Sequence, residues 1–238
     1  MTPPMTQLDE RIAMTEPDLR RVRWPQACRI VPTRYPAVSL FDRVASAADF
    51  DALYALEAMS NERARQELGE IDRVPPHERL YGPGSGPVMA AFTHVNTLGS
   101  RFSDGRHGVF YAARERATAV AETRHHHGRF LAATQEGPMH LPMRLYHVAI
   151  DARLHDLRRL STVLPAVYDA DNYSAARTLG HALQAGGSAG VAYRSVRHAG
   201  GQCAGLFRPR GARHCLHAAF LLYAWDGERF ADVFERTE

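Results

Sequence analysis

The side chains with most chemical potential in this chain fall within residues 99–127, GSRFSDGRHGVFYAARERATAVAETRHHH. Gly99, Gly105 and Gly108 punctuate a polar loop that holds Arg101, Phe102, Asp104 and Arg106. Glycine lets a backbone approach a ligand closely or take positive φ. A short apolar run, Val109-Phe110-Tyr111, follows, and then a helix from about Arg114 that carries Glu122 and three histidines. An arginine in a flexible loop, an aromatic on a strand and a carboxylate on a helix supply an anion anchor, a stacking ring and an acid. Taken singly, each has a plainer reading. Arg101 suits a surface ion pair, Tyr111 a core aromatic with a wet hydroxyl, and Glu122 a solvated helix acid. Ala117, Val120 and Ala121 flank Glu122 with apolar surface and place it beside a buried edge.

Other chemistries fit less well. The segment Gly82–Pro87, GPGSGP, has the glycine content of a phosphate loop but lacks the GK[ST] ending that would reach a β/γ-phosphate and magnesium. Ser85 and Ser195 lack the GxSxG frame of a nucleophile elbow. His125, His126 and His127 point about 100° apart on a helix, so three in succession cannot converge on one ion. No HExxH or cysteine partner accompanies them, and no metal is expected. They read instead as a polar helix end near the C-terminal dipole. His126 alone shares a face with Glu122, four residues before it.

The elements that must position these residues are short and mixed. Residues 1–36 hold six prolines and little periodicity and read as an N-terminal arm, tacked down by Trp24 and Ile30-Val31. Val38–Val44 alternates as a first strand. Asp49 is a fitting N-cap for a helix with Phe50, Leu53, Leu56 and Met59 at helical spacing. Val88–Phe92 suits strand or helix. Met143–Ile150 reads as a strand, and a helix is expected from about Tyr173 to Gln184, capped by Asp171 or Asn172 and stopped by Gly186-Gly187. Ala189–Tyr193 is a buried strand delivering Arg194 and Ser195, with Gly205–Phe207 and Ala218–Trp225 as further strands. Short strands interspersed with helices point to an α+β domain.

Composition narrows the class. The 238 residues are 45% hydrophobic and 23% charged, ordinary for a globular domain able to bury a substantial core. The formal charge of +3 is spread along the chain with no block of five like charges, which argues against nucleic acid as a direct partner. No apolar run approaches the ~20 residues of a membrane span. The N-terminal residues have early prolines and acids and no apolar core, unlike a secretory leader. Cys28, Cys203 and Cys215, odd in number and without a CxxC pair, read as free thiols in a reducing cytoplasm.

Order and spacing together resemble the RES-domain family of bacterial toxins, named for arginine, glutamate and serine. The resemblance rests on GSRFSDGRHGVFYAA, with Arg101 in the loop and Tyr111 ten residues on. It continues through TAVAET, with Glu122 eleven residues later, and ends at Ser195 in VAYRSVR. Phe41-Asp-Arg43-Val looks like the family's first-strand arginine. It covers roughly residues 38–210, with a longer segment at about 49–95 that reads as an inserted helical piece adding core. The domain plan is then an arm, 1–36, and a catalytic domain, 37–238.

The resemblance implies an ADP-ribosyltransferase-like fold, a pair of small mixed β-sheets flanked by helices around an NAD cleft. It implies an enzyme that takes NAD⁺ as substrate and cleaves its nicotinamide–ribose bond, as a phosphorylase or glycohydrolase. The alternative is a mono-ADP-ribosyltransferase acting on a cellular protein, and a non-catalytic NAD- or partner-binding module is the rival from another class. Glu122 would hold the nicotinamide ribose and face the developing cation. Arg101 and Arg43 would pair with the pyrophosphate, Tyr111 would stack on the nicotinamide, and Ser195 would hydrogen-bond the ribose or Glu122. His126 would orient Glu122 or the acceptor. The acceptor is inorganic phosphate, water or a protein side chain. A cognate antitoxin of helix-turn-helix type is implied as partner, and self-association is compatible with the family.

Overall fold

The computed structural model describes residues 17–35, 40–44, 46–49 and 69–236. Among the described residues, seven strands and three complete helices follow in order: β1 (Leu19–Pro32), α1 (Gly86–Thr93), β2 (Phe110–Ala113), α2 (Arg116–Ala133), β3 (Met139–Asp156), α3 (Ser174–Ala185), β4 (Gly190–Arg194), β5 (Gln202–Leu206), β6 (Ala212–Trp225) and β7 (Phe230–Arg236). Helices are few, and the sheet is large and mixed.

Hydrogen bonding joins all seven strands into one sheet in the order β1-β2-β5-β4-β3-β6-β7, with β1 also paired to β3. The expected pair of separate sheets is therefore corrected to one connected sheet. The reason lies in the length of β3. One of its edges pairs with β1 from Met143 to His155. The other pairs with β6 from Met139 to Ile150, and then in parallel with β4 at His155 and Asp156. Two wings, β6-β7 and β4-β5-β2, thus leave the same long strand. A bond of β2 to β1 at Cys28↔Ala113 closes a ring of five strands.

Part of the expected N-terminal arm is a strand. Leu19–Pro32 is a 14-residue strand in the sheet, not an appendage. Its prolines hide it in the sequence because proline cannot donate to a ladder. Pro25 falls where the β1–β3 register slips between Trp24 and Ala27, so its missing N–H costs the ladder nothing. Val38–Val44 is likewise corrected. Among its described residues, Leu40–Arg43 form a 3-10 turn. The helix that follows is capped by Ser46, whose Oγ accepts from Asp49 N at 3.2 Å and donates to Asp49 Oδ2 at 2.7 Å. Ser46, three residues earlier, is therefore the cap, and Asp49 lies in the first turn that it caps. Phe50, Leu53, Leu56 and Met59 lie outside the described residues, as do residues 50–68 of the expected insertion; its described remainder, 69–95, holds two 3-10 turns and α1.

The sheet separates two apolar clusters by its period-two alternation. Ala192, Ala204, Leu206 and Phe110 pack on one face with Trp24, Val148, Ile150 and α1. Val191, Tyr193 and Cys203 pack on the other with Phe102, Leu131, Leu179 and Tyr223. The Arg101 loop and α2 cover this second face. All three cysteines are buried free thiols.

Candidate functional site

Glu122 and Ser195 meet. Ser195 Oγ donates to Glu122 Oε1 at 2.6 Å, across 73 positions of sequence. Ser195 opens the turn between β4 and β5, and its amide donates to Gly201 O at 2.9 Å. The same hydroxyl oxygen accepts from the amides of Arg197, at 3.0 Å, and His198, at 2.9 Å. Its single proton is directed at the carboxylate and its lone pairs are occupied, so Ser195 is a positioning hydroxyl and not a nucleophile. Thr118 at the start of α2 hydrogen-bonds His198 Nδ1 at 2.8 Å and ties the turn to the helix that carries Glu122.

Beneath the pair sit Tyr193 and Cys203, both buried. Cys203 Sγ lies 3.9 Å from Glu122 Oε1. Burial, and after it the charge of Glu122, raises the Cys203 thiol far above its ordinary range. It is therefore a neutral thiol, without the thiolate a nucleophile requires. Burial likewise pushes the Tyr193 hydroxyl well up, with Cys203 and Glu122 adding to it and Arg101 opposing. Phe102, next to Arg101, packs edge-on against Tyr193 with ring centroids 5.0 Å apart, so the arginine loop covers the same face of the sheet.

Arg101 is only 7% exposed. Its Nη1 donates to the carbonyls of Val167, at 3.2 Å, and Asp169, at 2.9 Å, and its guanidinium carbon stands 4.4 Å from the ring centroid of Tyr173. Its Nε and Nη2 have no hydrogen-bond partner among the described residues. The loop around it is braced from three sides. Tyr111 hydroxyl pairs with Ser100 Oγ at 2.8 Å and accepts from Phe102 N at 3.0 Å. Arg177 of α3 donates to the carbonyls of Ser100 and Leu98, at 2.9 and 3.1 Å. Gly180 lets α3 touch the loop, since a Cβ there would lie 2.2 Å from Phe102 O. Burial raises the Tyr111 phenol to about 12, so it stays protonated. Arg106 is turned inward to its own loop, its Nε donating to Asp104 Oδ2 at 2.7 Å. That pairing holds Asp104 down at about 2.

Two expected site residues are placed elsewhere. Arg43 is exposed on the 3-10 turn whose neighbours Phe41 and Val44 pack into the cluster on the opposite face of the sheet. His126 is exposed, and its ring lies edge-on to His127 at 5.3 Å and makes no hydrogen bond to Glu122. The histidines are also not at a helix end, because α2 runs on to Ala133. Burial, not a dipole, dominates them, and His125 and His127 are both held near 4 and neutral. Among the described residues no His, Cys, Asp or Glu group of three is arranged for a metal.

The structure also adds residues that sequence pattern did not reveal. Arg197, two positions after Ser195, donates to Ala170 O and lies 3.7 Å from Asp171. Its Nε and His125 Nε2 are buried without partners. Arg34, just after β1, stands 5.1 Å over the Tyr35 ring and 5.7 Å over Phe130 of α2, and its charge helps lower His127. Adjacency was the available signal: Arg197 follows Ser195, and Arg34-Tyr35 follows an apolar strand.

Comparison with known proteins agrees with the residue order. The uncharacterized protein y4oC of Sinorhizobium fredii is 27% identical over 209 residues, spanning 87% of this chain and 85% of that protein. A chain of the crystal structure of the M. tuberculosis MbcT-MbcA toxin-antitoxin complex superposes with a TM-score of 0.46 at 12% identity, over 97% of this chain and 92% of that one, a likeness too distant to bear on the site. The RES domain model matches residues 70–226, about two thirds of the chain and every member of the Arg101–Tyr111–Glu122–Ser195 set, and the protein belongs to the RES domain family.

Proposed function

We propose that this protein is the toxin of a toxin–antitoxin pair and consumes NAD⁺ by cleaving the nicotinamide–ribose bond. The observation that carries the reading is the 2.6 Å bond from Ser195 to Glu122, on the same face as a buried Arg101 with unused donors. When the C1′–N bond breaks, nicotinamide leaves with the bonding pair as a neutral molecule and the ribose becomes oxocarbenium-like. Glu122, held in one orientation by Ser195, sets a negative charge beside that cation and accepts from the ribose hydroxyls. The free side of the Arg101 guanidinium suits a pyrophosphate oxygen. Tyr111 serves by fixing the loop, since its hydroxyl is committed to Ser100 and Phe102. Ser195 acts through Glu122, and Arg43 and His126 have no part in this arrangement.

The acceptor completes the reaction. A phosphate oxygen adding to C1′ gives ADP-ribose 1″-phosphate, water gives ADP-ribose with release of a proton, and a protein side chain gives a modified protein. The membership of the family favours a small acceptor and an antitoxin that holds the enzyme in check. NAD⁺ loss by the purified chain, with and without phosphate and with Glu122→Gln as blank, tests this. Phosphate-dependent loss identifies a phosphorylase, phosphate-independent loss a glycohydrolase, and loss only with added cell protein a transferase. No loss under any of these conditions by folded, antitoxin-free protein refutes the proposal.

A further inference from the structure

A second cluster of guanidinium groups lies where the strands end, on the face of the sheet turned away from Glu122. Tyr193 and Cys203 face Glu122, so their register neighbours Arg194 and Gln202, which pair with each other, face the opposite way. There, Arg20 of β1, Asp156 at the end of β3, Arg158 and Arg159 just beyond it, and Arg194 and Gln202 line a cavity of about 420 Å³. That is within the size range of small-ligand sites, roughly 300–1,000 Å³.

The charges in this cavity are not balanced. Arg158 forks onto Asp156, with Nε to Oδ1 and Nη2 to Oδ2 both at 2.8 Å, while its Nη1 donates to Gln202 Oε1 at 2.8 Å. Arg20 pairs with Asp18 at 2.8 Å. Arg159 and Arg194 have no carboxylate partner among the described residues. Four cations against two carboxylates leave two positive charges facing one space. Like charges brought together from three segments of chain repel, and a bound anion relieves that repulsion. The lining holds no aromatic or aliphatic side chain. Recognition there would come from charge and forked N–H donors, which match phosphate oxygens, and not from stacking of a base.

We propose that this cavity binds an oligophosphate group, at a site separate from the Glu122–Ser195 pair. Arg159 and Arg194 supply the uncompensated charge, and Arg158, fixed by Asp156 and Gln202, supplies a rigid wall. The site does not depend on the proposed NAD⁺ chemistry.

Calorimetric titration of the full chain with inorganic pyrophosphate, at about physiological ionic strength, tests it. The double variant Arg159→Ala/Arg194→Ala is expected to raise Kd at least tenfold without changing Tm. Glu122→Gln and the control Arg213→Ala/Arg229→Ala, which removes equal charge elsewhere, are expected to leave Kd within about twofold. A second titration with ADP separates the sources. Equal, pocket-dependent affinity supports a bare oligophosphate, and tighter pocket-dependent affinity supports a phosphate carried on a nucleoside. The proposal is overturned if pyrophosphate does not bind, if the control weakens binding as much as the pocket variant, or if binding is lost with Arg101→Ala and unaffected by the pocket variant.

Discussion

Ser195 illustrates how one hydroxyl can be spent completely. It donates to Glu122 and accepts from two amides, so its removal leaves three polar groups wanting. Ser195→Ala is expected to cost about 1–3 kcal/mol, a Tm drop of roughly 2–4 °C per kcal/mol in a chain of this size. Turnover should fall as well because Glu122 loses its orientation, and Ser195→Thr should restore part of both in calorimetry and NAD⁺ assays. Glu122→Gln is expected to keep fold and NAD⁺ binding while lowering turnover about a hundredfold or more. Unchanged turnover would remove Glu122 from the mechanism. Arg101 holds two carbonyls and the Tyr173 ring as well as facing the site. Arg101→Ala should therefore lower Tm and raise the NAD⁺ concentration for half-maximal rate together. A fall in Tm alone would leave it a purely structural arginine. The residues were legible in sequence as a set, because an arginine, a tyrosine, a glutamate and a serine at fixed intervals form a pattern. Their partners were not, since nothing in Arg101 or Ser195 announces the carbonyls of Val167 and Asp169 or the amide of His198.

At the scale of elements, α3 acts as a brace for the loop. Its contact depends on Gly180, where a Cβ would lie 2.2 Å from Phe102 O. Gly180→Ala should push the helix from the loop, destabilise the fold by roughly 1–3 kcal/mol and reduce activity by displacing Arg101. Full activity with an unchanged Tm would show that the loop does not need the brace. On α2, the histidines give an acid dependence. His127 is held near 4 against an ordinary 6.5, by burial first and then by His126 and Arg34. His125 is held similarly low by burial, Arg197, Arg129 and His126, against Asp171. Between pH 6.5 and 4 the unfolded chain binds more protons than the folded one, so stability falls as pH falls through this window and is level below it. His127→Gln should remove a part on the order of 2 kcal/mol of the difference in unfolding free energy, from urea titrations, between pH 7 and pH 4. Parallel pH profiles for the two proteins would refute this role. The helix itself was readable from its composition, but its true end at Ala133 was not, because residues 125–127 look like a polar terminus until packing partly covers His125 and His127.

For the whole molecule, the decisive element is β1. It pairs along almost all of β3 and closes the five-stranded ring through β2. A chain beginning at residue 37 is therefore expected to lose cooperative melting and to aggregate through the exposed edge of β3. A soluble, cooperatively folding fragment with NAD⁺ activity would instead restore the view of residues 1–36 as an arm. The amino-acid sequence alone determined the family, the order of the Arg101, Tyr111, Glu122 and Ser195 set, helices α2 and α3 and the strand that leads to Ser195, because these depend on local periodicity and residue spacing. Only tertiary structure decided that Leu19–Pro32 is a strand of the sheet, that the described strands form one sheet, and that the turn carrying Arg43 packs on the face opposite Glu122. Those outcomes depend on register and on which long-range partner each strand finds, and a one-residue bulge such as that at Pro25 is invisible until the partner strand is in place.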